Sequence, residues 1–199
     1  GDAFYQKLLL FKKQNQLDSA RVNIDSALAY NSTEALFEGE VSPSSNNLKT
    51  IEKNILKGVD SFVKEKRFEE AIKNYENLLM LMPNSRIYQL EKGKLEVQTR
   101  QFEESINTFT NVLELDKENQ TARLSRAYVY TLTKENVKSI EDYTYAIENF
   151  KDLNGEFYYY RALAYFNNKQ SNLGCIDIGK AIALKYAVPN NVKQNFCKK

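Results

Sequence analysis

The segment Phe68-Glu-Glu-Ala-Ile-Lys-Asn-Tyr75 returns 34 residues later as Phe102-Glu-Glu-Ser-Ile-Asn-Thr-Phe109. A period of that length restricts the chain to a fold built from one supersecondary unit stacked repeatedly along an axis. A further 34 residues bring Ser139-Ile-Glu-Asp-Tyr143, another 35 bring Gly174-Cys-Ile-Asp-Ile178, and Leu17-Asp-Ser-Ala-Arg-Val-Asn-Ile24 stands 51 residues before the first, one period plus a connector of 17. Within the copies apolar residues recur at three and four, as in Phe4, Leu8, Phe11 and Ala20, Ile24, Ala27, the spacing of two amphipathic helices. Met82-Pro83-Asn84-Ser85 stops one helix and offers a cap for the next, Asn154-Gly155 reads as a turn between copies four and five, and Ser42-Pro43-Ser44-Ser45-Asn46-Asn47 reads as a loop. The series Leu48, Ile51, Ile55, Val59, Phe62 lengthens the first helix of the second unit. These marks predict a single domain over 1–199, with repeats at 1–34, 52–85, 86–119, 120–153 and 155–188, a connector at 35–51 and a capping helix at 189–199. An irregular helical bundle is the competing architecture, and the constant period argues against it.

Chemistry is narrowed by what is missing. The 199 residues include no histidine, which removes the commonest general base and metal ligand, and two cysteines alone make no zinc site. No catalytic residue, metal or cofactor is therefore expected, and the chain reads as not an enzyme. Its 28 basic and 26 acidic residues leave a formal charge of only +2, too balanced for a nucleic-acid footprint. No apolar run reaches the roughly 18 residues of a membrane span.

The copies resemble the tetratricopeptide repeat family, whose units follow W-x2-L-G-x2-Y, then A-x3-F, then A and P. The first unit places Phe4, Leu8, Phe11, Ala20, Ile24 and Ala27 in those slots, the second Ile55, Phe62, Ala71, Tyr75 and Pro83 with Leu78 where a small residue is usual. The fourth supplies Ala127, Tyr130, Tyr143 and Ala146, the fifth Tyr158, Ala162, Tyr165, Gly174, Ile178 and Ala181. The third keeps Gly93 and Phe109 but has Gln89, Glu96 and Ser105 in slots normally apolar or small, so its first helix is expected to be rotated or shifted by one. The resemblance implies an all-α, right-handed superhelical solenoid of helix-turn-helix repeats that binds a peptide or partner protein in a concave groove lined by first helices, without catalysis. The family's clamp for a C-terminal carboxylate is absent, since the matching slots hold Tyr5, Gln6, Leu9, Lys57, Ile87 and Glu91.

Groove-facing slots fall on Lys12, Lys13, Lys53, Lys57, Lys64 and Lys94, then on Leu124, Tyr128, Thr131, Tyr159 and Phe166. A groove basic at one end and aromatic at the other suits a partner segment with acidic residues beside apolar anchors. Against this, Asp60 and Glu91 dilute the lysines into an ordinary solvated stripe, and the tyrosines serve as packing between helices. The run Phe157-Tyr158-Tyr159-Tyr160 cannot point inward at every position. Arg126 and Asp142, and Arg161 and Asp177, occupy matching slots 16 residues apart, which reads as a repeated structural ion pair. The competing class of function is a structural subunit that self-associates, or assembles an envelope complex, through solenoid surfaces.

Cys175 takes the slot of Ile72, Ile106 and Ile140, facing whatever stacks next, which is the tail. There Pro189 suits a helix start and Val192 and Phe196 stand four apart, so Cys197 comes within reach of a disulfide with Cys175. Two reduced cysteines, as in a cytosolic protein, are the alternative. Because Gly1-Asp2 already lies in the helical pattern, a leader is expected to have been removed. With the Cys-Lys-Lys ending, this looks like exported repeat proteins of bacteria such as the Bacteroidetes, periplasmic or lipid-anchored as a lipoprotein, rather than cytoplasmic.

Overall fold

The computed structural model describes residues 45–150 and 154–197. The copy read at 1–34, with Lys12 and Lys13, lies outside them. The described residues form nine helices: α1 (Ser45–Lys64), α2 (Phe68–Leu81), α3 (Arg86–Gln98), α4 (Phe102–Leu115), α5 (Gln120–Leu132), α6 (Asn136–Asn149), α7 (Gly155–Asn167), α8 (Ser171–Ala183) and α9 (Asn190–Phe196). No strand occurs among them, and the fold is all-α. The chain divides into two compact units, 1–83 and 84–199.

In the first unit α1 and α2 pair as a hairpin whose core is Ile51, Ile55 and Val59 against Ala71, Ile72, Tyr75 and Leu78. As the apolar series suggests, α1 is long, at 20 residues. It begins at Ser45, so Ser45, Asn46 and Asn47 are helical rather than part of a loop. Ser, Asn and Pro are the residue types of turns as well as of helix starts, so this composition reads as a turn in isolation.

The second unit stacks three hairpins, α3–α4, α5–α6 and α7–α8, and closes with α9 against α8. The expectation that α3 is rotated or shifted is overturned. Tyr88, Gly93, Leu95 and Glu96 are its buried residues, each 34 positions before the buried Ala122, Ala127, Val129 and Tyr130 of α5. Glu96 keeps its core slot because Lys92, one turn earlier, reaches its carboxylate. A neutralised charge thus substitutes for an apolar side chain without moving the helix. Gly93 is fixed by packing, since a β-carbon there would meet the Phe109 ring at 2.6 Å.

Each hairpin turn is made the same way. Lys66, Arg100, Lys134 and Lys169 take positive φ near 60°, and the next N–H donates back across the helix end, as from Arg67 to the Phe62 carbonyl and from Gln101 to that of Glu96. This left-handed helix stop ordinarily favours glycine. Between copies four and five the expected Asn154-Gly155 turn is instead a helix start: Asn154 accepts from the Glu156 N–H at 2.9 Å, and Gly155 is the first residue of α7. A side chain at Gly155 would strike Tyr186 and the Ala181 carbonyl.

Candidate functional site

Two arginine clamps hold the second unit together. Arg126 on α5 forms a two-pronged pair with Asp142 on α6, Nε to Oδ2 at 2.8 Å and Nη2 to Oδ1 at 2.9 Å. Its Nη1 reaches back to Thr110 on α4 at 3.0 Å. One repeat on, Arg161 pairs with Asp177 at 2.7 and 2.9 Å and donates to Thr144 at 3.0 Å. Each guanidinium therefore joins its own hairpin to the preceding one, a bidentate geometry that only arginine supplies. Asp142 has a further donor, Arg123 at 3.1 Å, whose guanidinium lies 3.6 Å from the centre of the Tyr145 ring. Both carboxylates are thus engaged in joining the two helices of their own hairpins.

Between the first helices α5 and α7 opens a cleft of about 280 Å³, lined by Leu124, Ser125 and Tyr128 from α5, Tyr143 from α6, and Glu156, Phe157 and Tyr160 from α7. Its aromatic wall is continuous. Tyr160 lies edge-on to Tyr128 at 5.7 Å, stacks on Tyr143 at 6.2 Å and meets Tyr159 at 5.3 Å, and Tyr159 meets Tyr186 at 5.1 Å. Tyr128 is 38% exposed, so part of its ring is open to solvent. Burial pushes the Tyr143 phenol far above its usual range, and burial likewise raises that of Tyr160, with Tyr186 and Glu156 adding to it.

The sequence-derived groove residues separate. Leu124 and Tyr128 line the cleft, and Tyr159 supports its wall from behind Tyr160. Phe166 has to be withdrawn as a partner anchor: it is 7% exposed, lies against Gly174 and stacks on Phe196 of α9 at 4.4 Å, so the chain's own cap occupies its face. Lys53, Lys57 and Lys64 are exposed along α1 of the first unit, and Lys94 on α3 is paired with Glu91 at 2.6 Å. Ser125, Glu156, Phe157 and Tyr160 escape slot reasoning as cleft residues, although the aromatic run at 157–160 signals that a ring has to lie outside the core. No group of histidine, cysteine, aspartate or glutamate suited to a metal occurs among the described residues. No described helix is long and apolar enough to cross a membrane.

Cys175 and Cys197 are joined by a disulfide, with α-carbons 5.5 Å apart and a sequence separation of 22. It pins α9, of seven residues, over a cluster formed by Ala162, Phe166, Ile178, Ala181, Val188 and Val192. A helix that short does not persist alone. Replacing both cysteines by serine is expected to lower stability by about 3 kcal/mol through the loop entropy restored to the unfolded chain. Urea denaturation of the two proteins checks this, and two free thiols in the unfolded, unreduced protein would remove its basis.

Helical hairpins of constant period, stacked in register, define an α-helical repeat protein. Residues 90–152 match the tetratricopeptide repeat family, and the fold of the chain is the tetratricopeptide repeat fold. MamA, residues 41 to the end, from Desulfovibrio magneticus RS-1 is 17% identical over 67% of this chain and 75% of its own, with a TM-score of 0.63. A tetratricopeptide repeat protein from Parabacteroides merdae is 19% identical, covering 94% of this chain and 80% of its own, with a TM-score of 0.54. TTC0263 of Thermus thermophilus, a thermophilic tetratricopeptide repeat protein, is 17% identical over 92% of this chain and 94% of its own, also at 0.54. At such identities the likeness is one of fold. No curated protein matches the sequence.

Proposed function

We propose that this chain is a non-catalytic scaffold that receives a partner polypeptide in the cleft between α5 and α7. Proteins of this fold generally serve as protein-interaction scaffolds, and the observation that carries the reading here is Tyr128, an exposed ring at the mouth of a preformed aromatic cleft. Aromatic side chains in such positions supply a large share of interface energy. A random dodecapeptide library panned on the full chain tests it: Tyr128→Ala and Leu124→Ala are each expected to weaken the enriched peptides at least about tenfold. Peptides that bind both variants as tightly as the parent would place the docking site elsewhere.

A second reading, self-association, has its own observation. Leu173 and Ile176, three apart on α8, are exposed apolar side chains in the last hairpin, and light scattering that finds more than one copy per particle would favour it. The disulfide supports an exported protein, periplasmic or lipid-anchored, because such bridges persist in oxidising compartments.

A further inference from the structure

Resting on that reading of the cleft, we propose that it accepts a cation: the arginine or lysine side chain of an extended partner segment, held over the Tyr128 and Tyr160 rings beside the Glu156 carboxylate.

The tyrosines of α5, α6 and α7 sort into two sets. Arg126 and Lys138 lie over Tyr130, Arg123 over Tyr145, Arg161 over Tyr158 and Tyr165, and Lys180 over Tyr158, at 3.6 to 5.8 Å from the ring centres. These rings already hold the chain's own cations. By contrast the Tyr160 ring meets those of Tyr128, Tyr143 and Tyr159, and no described lysine or arginine lies over these four. The negative side of the aromatic quadrupole on these rings is therefore met by no cation of the described residues, and Tyr128, 38% exposed, presents it to solvent.

Glu156 gives the cleft its sign. Its carboxylate has no ion pair or hydrogen bond among the described residues, and no lysine or arginine lines the cleft. Burial raises the phenols of Tyr143, Tyr160 and Tyr186, and the nearby Glu156 charge adds to it. Placement in the first turn of α7 explains why an unpaired carboxylate is tolerated in the free protein, since a helix N-terminus favours negative charge. A volume near 280 Å³ falls at the small end of ligand sites, which suits one long side chain rather than a folded element. An acidic anchor would meet Glu156 as a like charge, so the preference runs opposite to the acidic partner expected from the lysine-rich slots.

The probes are the dodecapeptides enriched on the full chain whose binding is lost in Tyr128→Ala. Each is expected to carry an arginine or lysine whose replacement by norleucine, or by citrulline for arginine, weakens binding about tenfold in fluorescence anisotropy. Glu156→Gln should weaken the parent peptide comparably and leave the norleucine peptide unaffected, because the two changes remove one interaction. Glu156→Lys should restore binding to a peptide with glutamate at that position. Tyr128-dependent peptides that ignore both the norleucine exchange and Glu156→Gln overturn the cation and leave the docking cleft standing. A library that yields no Tyr128-dependent peptide overturns both.

Discussion

Asp177→Ala is expected to destabilise the protein by about 3–5 kcal/mol, as removal of one member of a buried pair does. The Arg161 guanidinium, 8% exposed, would then be left with Thr144 as its remaining hydrogen-bond partner. Arg161→Ala should cost a similar amount by stranding Asp177, 2% exposed, whose other cation is the solvent-exposed Lys180 at 4.0 Å. The double variant should lose much less than the sum, because no unpaired charge remains. Arg126→Ala should be milder than Arg161→Ala, since Asp142 retains Arg123 at 3.1 Å and its pair with Arg126 is more exposed. Urea denaturation of the three singles and the double reads these differences, and coupling near zero between Arg161 and Asp177 would show that the pair is solvated.

The pairs are legible because both partners recur 16 residues apart in successive copies, and a repeat turns one such coincidence into a pattern. Thr110 and Thr144 recur at the same period and complete each clamp, yet threonine at a helix position has too many ordinary uses to announce itself. Arg123 has no counterpart in the next copy, where Tyr158 stands, so periodicity cannot reveal it. The register of α3 is obscured for a different reason. Glu96 reads as a residue that does not belong in a core, and only the placement of Lys92 one turn before it shows how the charge is accommodated.

Punctuation is the least legible layer. Stops built on Lys66, Arg100, Lys134 and Lys169 carry neither glycine nor asparagine, and their conformation is imposed by tertiary packing of the two helices rather than by local preference. Gly155 looks like a turn residue, but its role is to let Tyr186 and the end of α8 approach. Slot analogy places Phe166 in the groove, while the cap that covers it is not part of the repeat. Repeat logic locates what faces the next copy, and it is silent where the series ends and a different element stacks. The cleft shows the same division. Tyr128 and Leu124 follow from slot position, whereas the sign of the site rests on Glu156, whose lack of a partner emerges only when its neighbours are in place.

Tyr143→Ala is expected to cost about 3–5 kcal/mol, as truncation of a buried aromatic ring does. The ring is 2% exposed, stacks on Tyr160 and forms part of the cleft floor, so both the hairpin contact and the aromatic wall lose their support. Tyr143→Phe separates the ring from the hydroxyl. It keeps the packing and removes only the phenol oxygen, so near neutral pH the loss should be at most about 1 kcal/mol. The two proteins should then converge as the solution becomes alkaline. Burial holds the folded phenol protonated far above its usual range, while in the unfolded chain it ionises near pH 10. Above that pH the unfolded state binds fewer protons than the folded one, so stability falls as pH rises, by about 1.4 kcal/mol at pH 11 for this one group. Phenylalanine has no proton to lose. The remaining lysines and tyrosines titrate alike in both proteins and cancel in the difference. Urea unfolding of parent and Tyr143→Phe at pH 8, 10 and 11 gives the gap at each pH. A gap that stays constant would mean that the folded phenol ionises as easily as the unfolded one, and Tyr143 would then have to be reached by solvent rather than sealed beneath Tyr160.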